Sequence, residues 1–366
     1  MSKILLLGGT GAMGVYLRDI LVAKGDEVVV TSRSSQSPCS HIEFVRGDAR
    51  DNIFLCDLID RVKPDAIVDF MVYGTAEFRA RLNLLLSKTR HYVFLSSYRV
   101  FSDAQVIVER SPRLLDVSED VDYLKTDEYA LRKARCEDLL RRSIFSNWTI
   151  VRPGITYSTK RFQLGCLEAD TLCYRSFLGL PVVMPREMRT RQTTMTWGRD
   201  VARMISLLVL NPNAYREDFN CSTAEHHSWD EVCGFYTDLI GADVRDCTVE
   251  NYIMIVGRSA HAQVRYDRMF DRVLNNSKVL QATGLKQSEM MPLKDGLSLE
   301  LVRYRKVFSD SRPNVPVNAR MDRFLGTTIP LGGFSFRQRR EYYASRYPVV
   351  GLAMRGLGVL RRALSR

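Results

Sequence analysis

The 366-residue chain is poor in the side chains that bind metals or cross-link small folds. It has five histidines and eight cysteines, and no two cysteines form a C-x-x-C pair. Neither residue type has the spacing of a metal-ligand set, so we expect no metal site and reduced, mostly buried thiols. No apolar run reaches the ~18 residues of a membrane span.

The first apolar run, Ile4 to Leu7, begins at the N-terminus and leaves no room for a signal peptide. We therefore expect a cytoplasmic protein. The length permits a large core, which we expect to be one domain with an added lobe.

Positive charge is concentrated at the C-terminal end. Residues 303–366 carry 14 Lys+Arg and 3 Asp+Glu, which equals the net charge of +11 for the whole chain. Residues 348–366 also have helical amphipathic spacing, with apolar Val350, Met354, Leu357 and Leu360 among Arg355, Arg361, Arg362 and Arg366. Such a segment suits an anionic surface, here the inner face of a membrane. An acidic partner and packing on the body of the protein are the alternatives.

A glycine run follows the first apolar run. Gly8, Gly11 and Gly14 stand where a strand must turn sharply into a helix near Gly11. The missing Cβ atoms allow a tight turn, close approach of the backbone to a pyrophosphate, and close packing of the helix on the strand. The helix N-terminus offers free N–H groups to phosphates. The run predicts a dinucleotide-binding turn that includes Thr10, Ala12 and Met13.

The end of the second strand indicates the cofactor. The chain reads Thr31-Ser32-Arg33-Ser34-Ser35, without the carboxylate that would bind the 2′-hydroxyl of NAD. Arg33 suits a 2′-phosphate, so NADP is favoured and NAD is the alternative. Asp48, after a third short strand, is expected to contact the adenine.

Strands and helices continue to alternate as far as Arg152-Pro153-Gly154. This alternation predicts a parallel, doubly wound α/β sheet of the Rossmann type. Ligands of such sheets bind at the carboxyl ends of the strands, which is where the glycine turn and Ser97 are predicted to lie.

The second informative fragment is Tyr129-Ala130-Leu131-Arg132-Lys133. Residues four apart share a helix face, so the Lys133 ammonium favours the phenolate of Tyr129. Lys133 can also bind the ribose of the nicotinamide, and Ser97 can hold a substrate oxygen beside Tyr129. Together the three side chains can move a proton while a cofactor moves a hydride.

The chain resembles the extended short-chain dehydrogenase/reductase superfamily, in its nucleotide-sugar epimerase/dehydratase branch, over about residues 3–300. The matching fragments are Gly8-x-x-Gly11-x-x-Gly14, Leu95–Phe101, Tyr129-x-x-x-Lys133 with Glu137, Thr149–Gly154, Trp197–Ala202, Asn276–Lys278 and Thr283–Leu285. The resemblance implies that Ser97 is the catalytic serine. Phe101-Ser102 departs from the aromatic-glycine pair of the family.

Sugar 4,6-dehydratases of this branch have an Asp-Glu pair after the catalytic hydroxyl, where this chain has Tyr98-Arg99. Removal of a hydroxyl would then lack its acid and base, so the expected reaction is epimerisation or net reduction of a nucleotide-linked sugar. An RNA-binding or regulatory protein on the same fold, similar to chloroplast stem-loop-binding proteins, is the alternative. The intact Ser97, Tyr129 and Lys133 argue against it.

The expected domain boundaries follow from these assignments. Residues 1–155 and about 193–224 form the dinucleotide-binding domain, about 156–192 and 225–302 form the substrate lobe, and 303–366 form the basic extension. Besides Ser97, the substrate side chains are expected to be Tyr98 and the cations Arg186, Arg189 and Arg191, which could grip a diphosphate. We also expect a homodimer.

Overall fold

The computed structural model describes residues 1–37, 39–308 and 312–347. The amphipathic segment 348–366 lies outside the described residues. The strands are β1 Lys3–Leu7, β2 Glu27–Ser32, β3 Ile42–Arg46, β4 Ala66–Asp69, β5 His91–Leu95, β6 Trp148–Pro153, β7 Ile155–Tyr157, β8 Gln163–Leu164, β9 Leu167–Glu168, β10 Val182–Pro185, β11 Gln192–Thr193, β12 Met195–Trp197, β13 Glu217–Cys221, β14 His227–Ser228 and β15 Val244–Cys247.

The helices are α1 Gly14–Ala23, α2 Asn52–Val62, α3 Thr75–Ser87, α4 Leu114–Val117, α5 Val121–Leu124, α6 Tyr129–Arg141, α7 Leu172–Phe177, α8 Gly198–Leu208, α9 Trp229–Ile240, α10 Val249–Val256, α11 His261–Gln263, α12 Ser277–Thr283, α13 Leu293–Lys306, α14 Val315–Leu325 and α15 Phe336–Arg346. Among the described residues, no helix has the length and apolar character needed to cross a bilayer.

The chain divides into two compact units. The first, which we call the sheet unit, comprises Met1–Arg161, Gln192–His226 and Phe270–Leu297. The second unit comprises Phe162–Arg191, His227–Met269 and the described residues from Ser298 onward.

These boundaries differ from the expected ones in two places. Residues 270–297, assigned from the sequence to the substrate lobe, belong to the sheet unit because Val279 of α12 is buried in its core beside α8. Residues 303–347 do not form a separate extension. They belong to the second unit, where Tyr342 of α15 is fully buried with Val315 and Ala319 of α14.

The sheet unit is built on seven strands in the order β13-β6-β5-β4-β1-β2-β3. Every neighbouring pair is parallel. The predicted doubly wound α/β fold is therefore confirmed.

Strand β1 shows why its sequence is apolar throughout. Ile4 and Leu6 pack into a core with helices α1 and α8. Leu5 and Leu7 point to the opposite face, into a core with α2, α3 and α6. A strand covered by helices on both faces must be apolar at every position, which distinguishes it from a half-exposed strand.

The second unit contains the short parallel pair β10 and β15. A buried ion pair ties its helices together, since Nη1 of Arg175 in α7 lies 2.9 Å from Oδ1 of Asp322 in α14. Asp322 also accepts hydrogen bonds from the Tyr342 hydroxyl and from the Ile329 amide. The second unit therefore has a polar anchor besides its apolar cluster.

Candidate active site

The glycine turn follows β1, and each predicted glycine has a distinct environment. Gly8 has φ +73°, and a Cβ there would lie 2.8 Å from the Met71 sulfur. A Cβ at Gly14 would lie 2.4 Å from the carbonyl oxygen of Gly9, whereas a Cβ at Gly11 would meet no atom within 4 Å. Gly8 therefore permits the turn, and Gly14 permits the helix to pack closely on the turn. The space beside Gly11 is open to a ligand.

The helix after the turn begins later than the sequence suggested. Helix α1 starts at Gly14 with Met13 as its N-cap, three residues beyond Gly11. The carbonyl of Ala12 lies against Gly198 at the start of α8, where a Cβ would be 2.6 Å from that oxygen. The turn is thus three residues longer than the sequence suggested. Gly198, which lies outside the turn, lets α8 approach the turn closely.

These environments predict opposite consequences for two alanine substitutions. Gly14→Ala should destabilise the fold by about 1–3 kcal/mol, because the new methyl overlaps backbone. Gly11→Ala should leave the thermal midpoint unchanged and weaken dinucleotide binding by about tenfold or more, since a charge-assisted contact is worth ~1.5–3 kcal/mol. Thermal unfolding and cofactor titration of both variants test the pair. Unchanged affinity in a folded Gly11→Ala variant would contradict the pyrophosphate assignment.

A cavity of about 220 Å³ opens beside the turn. It is lined by Gly8, Thr10, Thr31, Ser32, Arg33, Gly47, Asp48, Ala49, Arg50 and Met71. The Gly8 amide donates to Oγ1 of Thr31 at 2.9 Å, which joins the ends of β1 and β2. Four residues predicted to bind the cofactor therefore share one cavity at the carboxyl ends of these strands.

Sequence reasoning missed two arginines near this cavity. Arg50 lines it directly, on the loop that follows β3. Arg81 of α3 is buried and donates to the carbonyl oxygens of Ala49 (3.0 Å) and Arg50 (2.9 Å), with its guanidinium 4.4 Å from the Tyr73 ring centroid. Arg81 thus fixes the backbone that carries Arg50. The fragment Gly47-Asp48-Ala49-Arg50 was a readable signal for Arg50, but nothing local indicated Arg81.

Tyr129 and Lys133 occupy the first two turns of α6. Glu128 caps this helix, accepting a hydrogen bond from the Ala130 amide at 2.7 Å. Tyr129 is half-buried, whereas Lys133 is 2% exposed. The Lys133 ammonium donates to the carbonyl oxygen of Leu95 at 2.5 Å and to that of Met71 at 3.3 Å. It is therefore held at the carboxyl end of β5, beside the segment that follows β4.

Ser97 follows β5 and caps a short 3-10 turn at Tyr98–Val100. Its hydroxyl oxygen accepts from the Arg99 amide at 3.2 Å. The Arg99 guanidinium lies 4.9 Å from the Tyr129 ring centroid, and its Nη2 is 2.8 Å from Oε1 of Glu128. These contacts pack the serine segment against the first turn of α6. The structure thus brings Ser97, Tyr129 and Lys133 into one region of the sheet unit.

In the sequence analysis, Arg99 matters only because it stands where the 4,6-dehydratases have an acidic residue. The structure gives it a position on the ring of the predicted acid/base residue. Arg132 approaches the same ring, with its guanidinium 5.8 Å from the centroid. The Tyr129 ring therefore has two guanidinium groups against it.

A buried carboxyl group lies near Lys133. Asp69, at the end of β4, accepts from the hydroxyls of Tyr92 (2.8 Å) and Tyr73 (3.0 Å) and from the Met71 amide (2.9 Å). Burial raises the pKa of Asp69, and the Lys133 charge acts in the opposite direction. Asp69 thus links the segment contacting Lys133 to the core, and sequence reasoning missed it.

The serine segment is held by a second buried network. The Ser96 hydroxyl donates to Oε1 of Glu137 at 2.5 Å, and Glu137 makes a two-point ion pair with Arg152, each contact 2.8 Å long. Arg152 is also 2.8 Å from Oδ2 of Asp218 in β13. Glu137 and Arg152 are both fully buried. The network joins α6, β6 and β13 to the segment that follows β5, next to Ser97.

The structure gives no support to most of the other predicted substrate residues, because they are buried or paired with carboxylates. Tyr98 is 4% exposed and belongs to the core. In the second unit, Arg186 and Arg189 are both paired with Asp246, and Arg189 is also 2.7 Å from Asp230. Their charge is compensated by these carboxylates, so the geometry gives no support to a diphosphate grip. Arg191 is half-buried in the same unit.

The sheet unit combines a parallel sheet, a glycine turn at one strand end, an arginine-lined cavity beside that turn, and a Tyr-Lys helix near a serine. This combination is the architecture of the nicotinamide-dinucleotide enzymes of the Rossmann fold. The model of the NAD dependent epimerase/dehydratase family matches residues 4–222, and the chain belongs to that family. The resemblance to extended short-chain dehydrogenase/reductases is thereby confirmed.

Two solved structures that are similar to the chain are distant from it in sequence. An epimerase structure from Methanothermobacter thermautotrophicus aligns with a TM-score of 0.67 at 15% identity, covering 85% of this chain and 95% of its own. The UDP-glucose 4-epimerase of Thermus thermophilus, solved with NAD, aligns with a TM-score of 0.63 at 18% identity, covering 83% of this chain and 99% of its own. At these identities the structures show the shared fold.

One curated relative is a chloroplast stem-loop binding protein of 41 kDa from Arabidopsis thaliana. It is 24% identical over 245 residues, which are 63% of this chain. The chain spans 61% of the length of that relative.

Proposed function

We propose that the chain catalyses hydride transfer at a carbinol or keto carbon of a nucleotide-linked sugar, as an NADP-dependent epimerase or reductase. The observation that carries this proposal is the buried ammonium of Lys133, anchored on the Leu95 carbonyl one helical turn after Tyr129 and beside the Ser97 segment. A purely structural lysine has no need of this arrangement at the carboxyl end of a strand. Burial of an ammonium is costly, which favours a catalytic reason for it.

The residues divide the chemistry between them. Bound nicotinamide supplies or accepts the hydride at the reacting carbon. Tyr129 donates a proton to the oxygen of that carbon during reduction, or removes it during oxidation. Lys133 stabilises the phenolate that results, and the Ser97 hydroxyl holds the same substrate oxygen by a hydrogen bond. The open space at Gly11 and the cavity lined by Arg33 fit the pyrophosphate and the adenosine end of a dinucleotide.

Dehydration is the disfavoured outcome. The two positions after Ser97 carry Tyr98, which is buried, and Arg99, whose guanidinium is committed to Glu128 and to the Tyr129 ring. Neither can act as a carboxylic acid or carboxylate base. The intermediate ketone would then be reduced again, on the same face or the other.

An assay of the purified chain tests the proposal. The chain is incubated with NADPH or with NADP⁺ and a panel of UDP- and dTDP-linked sugars and keto-sugars, and the products are identified by mass and by proton NMR. Net reduction consumes one NADPH per product, whereas epimerisation inverts a carbinol centre without net consumption. Absence of turnover across the panel, combined with absence of dinucleotide binding, would reject the proposal.

The preference for NADP predicts a selective loss in Arg33→Ala. Arg33 is exposed and lines the cavity, so its guanidinium is available for a 2′-phosphate. The substitution should weaken NADPH binding by about ten- to a hundredfold, the value of one charge-assisted contact, and leave NADH binding nearly unchanged. Fluorescence titration with both cofactors measures the difference.

Arg90→Ala is the matched control, because Arg90 is an exposed arginine of the same unit that does not line the cavity. Its affinities should equal those of the unmodified chain. Equal affinity of the unmodified chain for NADPH and NADH would contradict the NADP preference.

RNA binding is a second candidate function, which the stem-loop-binding relative favours. RNA binding requires neither Tyr129 nor Lys133. A gel-shift titration of structured RNA at physiological salt with the unmodified chain and Tyr129→Phe therefore separates the two functions. Tight binding by both proteins, without turnover in the sugar panel, would favour this second candidate.

A further inference from the structure

One face of α15 exposes aromatic side chains instead of burying them. Phe336, Tyr343 and Tyr347 are 83%, 44% and 48% exposed. With Arg340 they follow the spacing i, i+4, i+7, i+11, which places Phe336, Arg340 and Tyr343 on one side of the helix, with Tyr347 as its C-cap. The opposite side buries Tyr342 completely. We call the four residues the aromatic face.

Arginines flank the aromatic face. Helix α15 carries four arginines and one acidic residue, Glu341. Arg337, Arg339 and Arg340 are exposed, and among the described residues no carboxylate lies within ion-pair distance of them. The spacing of Glu341 places it away from the face. The face therefore carries three aromatic side chains and the cation Arg340, with Arg337 and Arg339 on its two sides.

The helix is fixed in this orientation by the second unit. The Tyr342 hydroxyl donates to Oδ2 of Asp322 at 2.7 Å, and Ser335 and Gln338 form a reciprocal cap at the start of the helix. Asp322 is itself held by Arg175. Rotation of α15 to hide the aromatic side chains would break the Tyr342–Asp322 contact. Exposure of the aromatic face thus follows from how the helix is anchored.

We propose that the aromatic face of α15 docks on the surface of an anionic lipid bilayer. Aromatic rings bind at the level of the headgroups, and flanking arginines bind lipid phosphates, so the arrangement matches an interfacial helix. The sequence that follows is rich in Val and Leu and has four arginines and no acidic residue. Aliphatic side chains gain from contact with acyl chains but cannot stack on bases, which favours lipid over RNA as the occupant.

Sedimentation of the full chain with vesicles tests the proposal. We expect binding to equimolar phosphatidylcholine–phosphatidylserine vesicles, weak binding to pure phosphatidylcholine, and release at high salt because exposed charges are screened. Each arginine near an anionic surface strengthens attachment about fivefold, so Arg337→Gln, Arg339→Gln and Arg340→Gln together should weaken it about a hundredfold. Phe336→Ser with Tyr343→Ser and Tyr347→Ser should weaken binding comparably while NADPH binding persists.

The matched control is Arg142→Gln with Ile144→Ser, which removes an exposed arginine and a 96% exposed apolar side chain from the sheet unit. This variant should bind vesicles like the unmodified chain. The proposal fails if the full chain does not sediment with anionic vesicles, or if both α15 variants sediment as well as the control. It also fails if the α15 substitutions abolish binding to structured RNA and leave vesicle binding intact.

Discussion

Replacing Tyr129 by phenylalanine is expected to lower turnover by about a hundredfold or more, with little change in cofactor affinity. The substitution keeps the ring on which Arg99 packs, 4.9 Å away, and removes only the hydroxyl. General acid/base catalysis contributes ~10²–10⁴-fold to rate, so the loss should fall on kcat and not on KM. Steady-state kinetics on the substrate that the panel identifies, with NADPH titration alongside, measure both effects.

Tyr215→Phe is a suitable control for this variant. Tyr215 is another half-buried tyrosine of the sheet unit, packed edge-on against His91 with 4.6 Å between ring centroids. Loss of its hydroxyl should leave kcat near that of the unmodified chain. Near-normal turnover in Tyr129→Phe would remove Tyr129 from its catalytic role.

Much of the sheet unit was predictable because its signals are local. The apolar run before Gly8, the turn itself and the alternation of strands with helices each depend on neighbours in sequence, and the structure confirms the parallel doubly wound sheet. Helix α6 begins at Tyr129, one residue from the predicted start. The start of α1 was wrong by three residues because the turn extends through Ala12 and Met13 before helical geometry begins.

The supports of the site were not predictable in the same way. Arg81 acts on Ala49 and Arg50 from a helix about thirty positions away, and Asp69 acts through Tyr92 of the neighbouring strand. Strand order and helix packing determine which residues Arg81 and Asp69 contact. These contacts therefore cannot be predicted from the sequence near either residue. Arg99 was visible as a missing acid, but its contact with Tyr129 depends on how the serine segment folds back on α6.

The second unit shows the same limit more strongly. An arginine cluster in sequence suggests an anion site, yet Arg186 and Arg189 both pair with Asp246, nearly sixty residues later. The basic region after residue 302 looked like an appendage because its composition differs from that of the body. In the structure the ion pair of Arg175 and Asp322 joins α7 to α14, so the residues on both sides of position 302 belong to the same unit. A change in composition at that position therefore did not correspond to a domain boundary.

Glu137→Gln is expected to destabilise the protein by about 3 kcal/mol. The substitution leaves the fully buried Arg152 without its two-point partner, and breaking a buried ion pair from one side costs about 3–5 kcal/mol. Asp218 remains 2.8 Å from Arg152, which places the expected loss at the lower end. Denaturant unfolding at neutral pH measures it. Since Ser96 donates to the same carboxylate, the folded variant should also show lower kcat.

Measuring stability as a function of pH distinguishes the ionic contribution of the Glu137–Arg152 pair from the contribution of side-chain packing. Burial opposes the ionised form of Glu137, but the Arg152 charge outweighs it and holds the pKa of Glu137 below its usual value. A carboxyl group whose pKa is lower in the folded state stabilises the fold fully at pH values above its pKa in the unfolded chain, about 4.3. This contribution is lost as the pH falls through the pKa of the folded state. The difference in stability between the unmodified chain and Glu137→Gln should therefore be constant near neutrality and shrink below about pH 4.

The control for burial is Glu43→Gln, which breaks an ion pair of similar length, 2.7 Å to Arg61, between two side chains that are about half exposed. Exposed pairs contribute ~0–1 kcal/mol, so this variant should lose little stability at any pH. Equal losses in the two variants would mean that burial of the Glu137–Arg152 pair has no special weight. Ser97 would then be positioned by packing of the strand end alone, without help from the ionic network behind it.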